Sequence, residues 1–236
     1  MKHIKEYEEF EFNNNLNEGL LGDIWERFKA LIKKLFTSSP EPSKPKPLII
    51  PPQLEGQHML YLPHQQGPSG TAEIIKAARG NIDLSNDLRF KLLKNMPSSD
   101  PGYIKVKTGK GKEAALAFLN YQKNTWNGYA AEAKSKISEQ SNLPVKNAIE
   151  KIQNRKFPID FLNTVAYKES RFNPDPKGNP SYVGLFQIGD SAWKQLKSIN
   201  PTIYKGPKPP KDIKLNAQAG HDYLMWAYDQ FSKKMN

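Results

Sequence analysis

The chain has 236 residues, enough for one sizeable hydrophobic core and an accessory segment but not for two large domains. Its 35 Lys and Arg against 24 Asp and Glu give a net charge of +11, which suits a polyanion: nucleic acid, an anionic membrane or a cell-wall polymer. It has no cysteine, which excludes disulfides and thiol chemistry, and its four histidines, His3, His58, His64 and His221, are too dispersed for a zinc site.

In chain order, residues 1–10 mix acidic and basic side chains and lack the basic-then-apolar order of a secretory signal, and no apolar run is long enough to span a bilayer. Residues 16–36 form an amphipathic pattern, with Leu20, Leu21, Ile24, Trp25, Phe28, Leu31, Ile32, Leu35 and Phe36 on one stripe. Asn17 is placed to cap this helix over 17–36. Such a helix packs on its own domain, docks on a partner protein or lies at a membrane interface, and docking is the expected role. Pro40, Pro42, Pro45, Pro47, Pro51 and Pro52 exclude regular helix and make 37–53 an extended linker. The organisation expected is therefore 1–36 for docking or targeting, 37–53 as linker, and 54–236 as the globular domain. Within 54–156 helices are expected over Thr71 to Arg79, after the Gly67-Pro68-Ser69-Gly70 turn, and over Leu84 to Leu93, Glu113 to Trp126 and Tyr129 to Ile137. Asn95 to Gly111, with Pro97, Pro101 and three glycines, reads as a loop. The lysines are scattered and no nucleic-acid-binding motif accompanies the aromatics, so no nucleic acid is expected as a partner.

Further on, Ile159, Leu162, Val165, Ala166 and Glu169 recur at three- and four-residue steps, the signature of one helical face. A carboxyl on an apolar face is costly to ionise, so burial is expected to raise its pKa and suit it to general acid catalysis. A solvated Glu near a helix end, closed by Asn173-Pro174, is the plainer alternative. Downstream, Gly184-Leu185-Phe186-Gln187-Ile188 places a glycine able to take positive φ or to let a ligand approach the backbone. Leu185 and Ile188 are expected to pack inward, leaving the Gln187 amide, both donor and acceptor, for a sugar hydroxyl or acetamido group or, in the plainer alternative, for backbone groups of a buried strand or turn.

The order Glu169-Ser170, Asn173-Pro174, Gly184-Leu185-Phe186-Gln187, Trp193 and then Asn216 to Leu224 resembles the catalytic core of lytic transglycosylases of the soluble, goose-lysozyme-like type. The resemblance covers residues 157 to 228. It implies a mainly α, lysozyme-like domain that cuts peptidoglycan glycan strands between N-acetylmuramic acid and N-acetylglucosamine, with Glu169 catalytic and Ser170, Gly184, Phe186 and Gln187 binding substrate, and without cofactor or metal. The segment Tyr61-Leu62-Pro63-His64-Gln65-Gln66-Gly67 is similar to one that follows the catalytic Glu in phage-borne members, yet here it precedes it. A circular permutation accounts for this order: 54–156 is the family's second half, 157–236 its first, and 138–158 the new connection. Tyr61, His64 and Gln65 then line the groove. Where the family usually has Tyr-Asn, this chain has His64-Gln65, and Ser181 stands where glycine is common, so the contacts there do not carry across.

One carboxyl serving as acid and then base needs no second carboxylate, and Asp175, Asp190 and Asp222 read as turn, cap or surface residues. Hydrolysis in the manner of lysozyme is the alternative within the enzyme class. A non-catalytic virion adaptor on the same fold is the alternative outside it. Met1 to Phe10 resembles the leader peptides that direct proteins into T-even-like phage heads. Synthesis in a host cytoplasm and carriage in a phage virion, or release to the periplasm and wall, is accordingly expected, with the 17–36 helix docking on a phage structural protein.

Overall fold

The computed structural model describes residues 56–176 and 181–235 and, apart from these, only position 30. The expected helix over 17–36, Ala30 excepted, and the linker over 37–53 lie outside the described residues. Eight α-helices and one two-stranded sheet are formed among the described residues.

Helix α1 (His58–Ala78) begins well before the expected Thr71 and runs through the expected turn. Its two halves meet at Gly67, whose φ of 72° and ψ of 160° interrupt the helix, and Pro68 opens the second half, where its missing N–H costs nothing. The Thr71 hydroxyl donates to the Gly67 carbonyl at 2.9 Å and ties the halves together. Helix α2 (Asn86–Lys94) is capped by Ser85, which accepts from the Leu88 N–H. The segment expected as a loop contains helix α3 (Tyr103–Thr108). Val106 buries against the core, and the Arg89 guanidinium caps the end of α3 by donating to the carbonyls of Val106 and Gly109.

Helix α4 (Gly111–Lys136) is one element where two were expected. Glycine at 128 lowers helix propensity by only about 1 kcal/mol, which packing on either side offsets. The stretch expected as a bare connection carries helix α5 (Leu143–Glu150), with Pro144 in its first turn.

Helix α6 (Ile159–Ser170) is central. Every residue from Phe161 to Tyr167 is buried, so it is enclosed on all sides rather than on one face. It packs against α4 and α5, while α1 packs against α4 and against the last helix. Trp126 of α4 stacks on Phe161 of α6 with centroids 5.3 Å apart and lies 5.4 Å from Tyr61 of α1, joining three helices. Strands β1 (Tyr182–Val183) and β2 (Ile188–Gly189) pair antiparallel, Tyr182 opposite Gly189. Helix α7 (Asp190–Ile199) follows, and α8 (Ile213–Met235) closes the domain against α1.

Candidate active site

Glu169 sits in the last turn of α6, which ends at Arg171 and Phe172, both left-handed with φ of 55° and 61°. The carbonyls that finish a helix disfavour a negative charge there. Compensation comes from a different part of the chain. The Tyr61 hydroxyl of α1 donates a short hydrogen bond to Glu169 Oε1, and His64 Nε2 lies 3.7 Å from the same oxygen. The side chains of His64 and Glu169 are 16% and 20% exposed, so the pair is largely shielded from bulk water yet still reachable from it.

Burial is the largest single influence on the Glu169 carboxyl and pushes its pKa up, but His64, Lys168 and Tyr61 together outweigh it and leave the group below the ordinary carboxylate value. This corrects the raised pKa expected from the apolar face: the imidazole and the phenol come from α1, distant in sequence, and Lys168 adjoins Glu169 itself. Tyr61 is driven well above its usual value, first by burial and then by the neighbouring carboxylate, so it stays a phenol and a donor.

The expected substrate-binding residues divide. Tyr61 and His64 reach Glu169. Tyr61 is 3% exposed, so it orients the carboxylate from within the core and does not line an open surface. Ser170 does not face a groove: it is buried and its hydroxyl donates to the Ala166 carbonyl one turn back at 2.9 Å. Phe186 is likewise core, fully enclosed against Gly220 of α8, where a Cβ would overlap its ring. Gly184 takes φ of +78°, and a side chain there would collide with Asn216. Its glycine is thus explained by packing.

Leu185 and Ile188 are buried, and Gln187, with φ of 47°, is half-buried. Its amide donates to the Gly184 carbonyl at 2.8 Å, bracing the turn. Gln65 is half-buried, with Oε1 enclosed and without a hydrogen-bond partner. Among the described residues, neither Gln65 nor Gln187 hydrogen-bonds Glu169.

Asn216 holds the 184–187 turn to α8. Its Oδ1 accepts from the Phe186 N–H at 2.8 Å, and its Nδ2 donates to the carbonyls of Val183 and Pro210 at 3.0 Å each. Tyr223, one face of α8 further on, meets His64 edge-on at 5.5 Å and stacks on Trp226 at 5.3 Å. The sequence offers a faint signal for these two aromatics in their three-residue spacing. Lys168 also belongs to the site: its ammonium donates to the Tyr61 hydroxyl at 3.3 Å.

Of the other acids, Asp175 pairs with Lys211 at 2.8 Å on the surface and Asp190 opens α7. Asp222, expected as a turn, cap or surface residue, is instead half-buried. It accepts from Tyr204 and Gln218 and meets His221 Nδ1 at 2.8 Å. The buried His221 Nε2 in turn accepts from the Lys156 backbone N–H at 3.0 Å, which fixes the proton on Nδ1. No group of three or more His, Cys, Asp or Glu able to hold a metal ion occurs among the described residues.

A mainly helical domain built round an enclosed central helix, with a two-stranded sheet whose turn is braced by the last helix, is of the lysozyme-like class. Residues 146–236 match the family model described as the transglycosylase SLT domain, which supports peptidoglycan lytic transglycosylase activity in general terms. The match begins in α5, ahead of residue 157 where the resemblance in sequence starts. No curated protein and no solved structure matches the chain. No described helix is long and apolar enough to cross a membrane.

Proposed function

We propose that the protein cleaves the β-1,4 bond between N-acetylmuramic acid and N-acetylglucosamine in peptidoglycan as a lytic transglycosylase, with Glu169 as its one acid and base. The observation that carries this reading is the convergence of Tyr61 and His64, from α1, on the carboxyl of Glu169, which lies inside the region matched by the SLT model. A glycan strand seated over Glu169 excludes water and adds to the burial that opposes ionisation, which favours the neutral carboxyl against the lowering by His64, Lys168 and Tyr61. The protonated carboxyl gives its proton to the glycosidic oxygen as the bond from that oxygen to the muramyl C1 breaks. The carboxylate then takes the proton of the muramyl 6-hydroxyl, whose oxygen bonds to C1 and closes a 1,6-anhydro ring without water. Tyr61 holds the carboxylate's orientation through both steps. His64, Gln65 and Gln187 border the substrate, Gly184 shapes the turn that carries Gln187, and the partial enclosure of His64 and Glu169 favours a single strand at a time.

A circular permutation is part of the same reading. It is supported by the placement of the preceding α1 segment against Glu169 and by the packing of α1 on α8. Delivery by a phage particle, or release at lysis, and docking through residues 17–36 rest on the sequence of the first 36 residues.

Zymography on purified peptidoglycan tests the function. The wild-type protein is expected to clear the substrate and folded Glu169→Gln is not. A folded wild-type protein that leaves the wall intact would return the non-catalytic adaptor as the better reading.

A further inference from the structure

We propose that Lys168 is a positioning residue for Glu169, its ammonium anchoring the Tyr61 hydroxyl and, through that hydroxyl, holding the carboxylate in its ionised, oriented state while the groove is empty. The inference rests on the proposed role of Glu169. It adds a group that the family match and the recognisable motif leave without a role.

The geometry is a relay of three side chains. Lys168 Nζ donates to the Tyr61 oxygen at 3.3 Å, and the same hydroxyl donates its own proton to Glu169 Oε1. The ammonium also lies 4.7 Å from the centroid of the Tyr61 ring and 5.6 Å from that of Tyr129 on α4, so two aromatic faces bracket it. Adjacent residues on a helix point about 100° apart and do not ordinarily share a partner. Here the helix is in its last turn, and Tyr61 from another helix bridges the two side chains.

A lysine so placed is costly. Burial lowers its pKa first of all, the nearby Glu169 raises it, and Arg171 lowers it again. Arg171 itself turns away, with its guanidinium over Tyr129 and Tyr167 at 4.6 and 4.7 Å, and Tyr167 is bonded to Glu132 at 2.8 Å. The charged and titratable groups around the relay are thus Glu169 and Arg171 on α6, Tyr61 and His64 on α1, Tyr129 and Glu132 on α4, and Tyr223 on α8 beyond His64. Lys168 supplies a fixed cation linked to the carboxylate through the bridging Tyr61 hydroxyl, and a cation within about 4–6 Å lowers a carboxyl pKa by roughly 1–3 units.

The test is a carbon-13 NMR titration of the Glu169 carboxyl in the full chain, set beside the pH profile of kcat/KM on purified peptidoglycan. Lys168→Met should move the carboxyl titration upward by about one unit, the low end of that range. The proton-bearing form being the active acid, the alkaline limb of kcat/KM should move up by the same amount. Lys168→Arg, which keeps the charge and a donor, should leave both close to wild type. If Lys168→Met does not fold, Lys168→Gln keeps an N–H for Tyr61 without the charge and reads the same shift. An unmoved carboxyl titration in either folded neutral variant overturns the proposal, as does a uniform loss of rate with no displacement of the limb. The titration reads Lys168 even if the wild-type protein proves not to cut peptidoglycan, so failure of the functional reading and failure of this one are separable.

Discussion

Asn216→Ala tests whether α8 braces the 184–187 turn through this one side chain. The Asn216 side chain is fully buried and makes three hydrogen bonds to main-chain groups of two separate segments. Val183 and Pro210 are half-buried, so water can reach their carbonyls once the amide is gone, whereas the Phe186 N–H is buried and would have no partner. An unsatisfied buried donor costs about 1–3 kcal/mol and a net hydrogen bond about 0.5–1.5 kcal/mol, so the expected loss is about 2–3 kcal/mol. For a chain of this size that corresponds to a fall in Tm of about 4–12 °C. Urea unfolding followed by tryptophan fluorescence is the assay, and the midpoint should drop with the slope unchanged. A loss below about 0.5 kcal/mol would place Asn216 among ordinary surface residues and refute the clamp.

Three further outcomes follow from the same structure. Gly220→Ala should destabilise by about 1–3 kcal/mol or more through overlap of the new methyl with the Phe186 ring, and a neutral result in urea unfolding would contradict that packing. Burial alone would raise the Asp222 carboxyl, but His221, Tyr204 and Gln218 hold it below its ordinary value. It therefore contributes stability that is present above its unfolded value, near pH ~4, and is lost as pH falls from there through the folded value. Urea midpoints for Asp222→Asn should accordingly lose part of this acid dependence, and an unchanged acid limb would count against the network. A chain starting near Leu54 should fold and clear peptidoglycan, as should one in which 157–236 precedes 54–156 through a short flexible link, because loop closure varies slowly with length. Misfolding of the reordered chain across several link lengths would argue against the permutation.

Helical spacing in the sequence placed residues on elements better than it oriented their side chains. Glu169 could be placed on a helix because Leu162, Val165 and Ala166 repeat at helical spacing, and the inward packing of Leu185 and Ile188 follows from the same kind of pattern. Ser170 and Phe186 lie beside recognisable residues, yet one bonds back to its own helix and the other fills the space left by Gly220. Adjacency in sequence does not fix which way a side chain turns. The pKa of Glu169 was illegible for a related reason: a one-helix pattern shows the apolar neighbours but not the phenol and imidazole delivered by α1. Helix α4 runs through Gly128 and α3 forms in a proline- and glycine-rich stretch because tertiary packing overrides weak local preference.

The most direct measurement of the central claim is the mass of the smallest muropeptides released from purified peptidoglycan by the wild-type protein and by Glu169→Gln. Wild-type products should be one water lighter than hydrolysis would give, and release should slow by about 100-fold or more in the folded variant, the scale of a lost general acid and base. Products carrying the added water would make the protein a lysozyme-type hydrolase, and comparable release by folded Glu169→Gln would contradict the assignment of Glu169 itself.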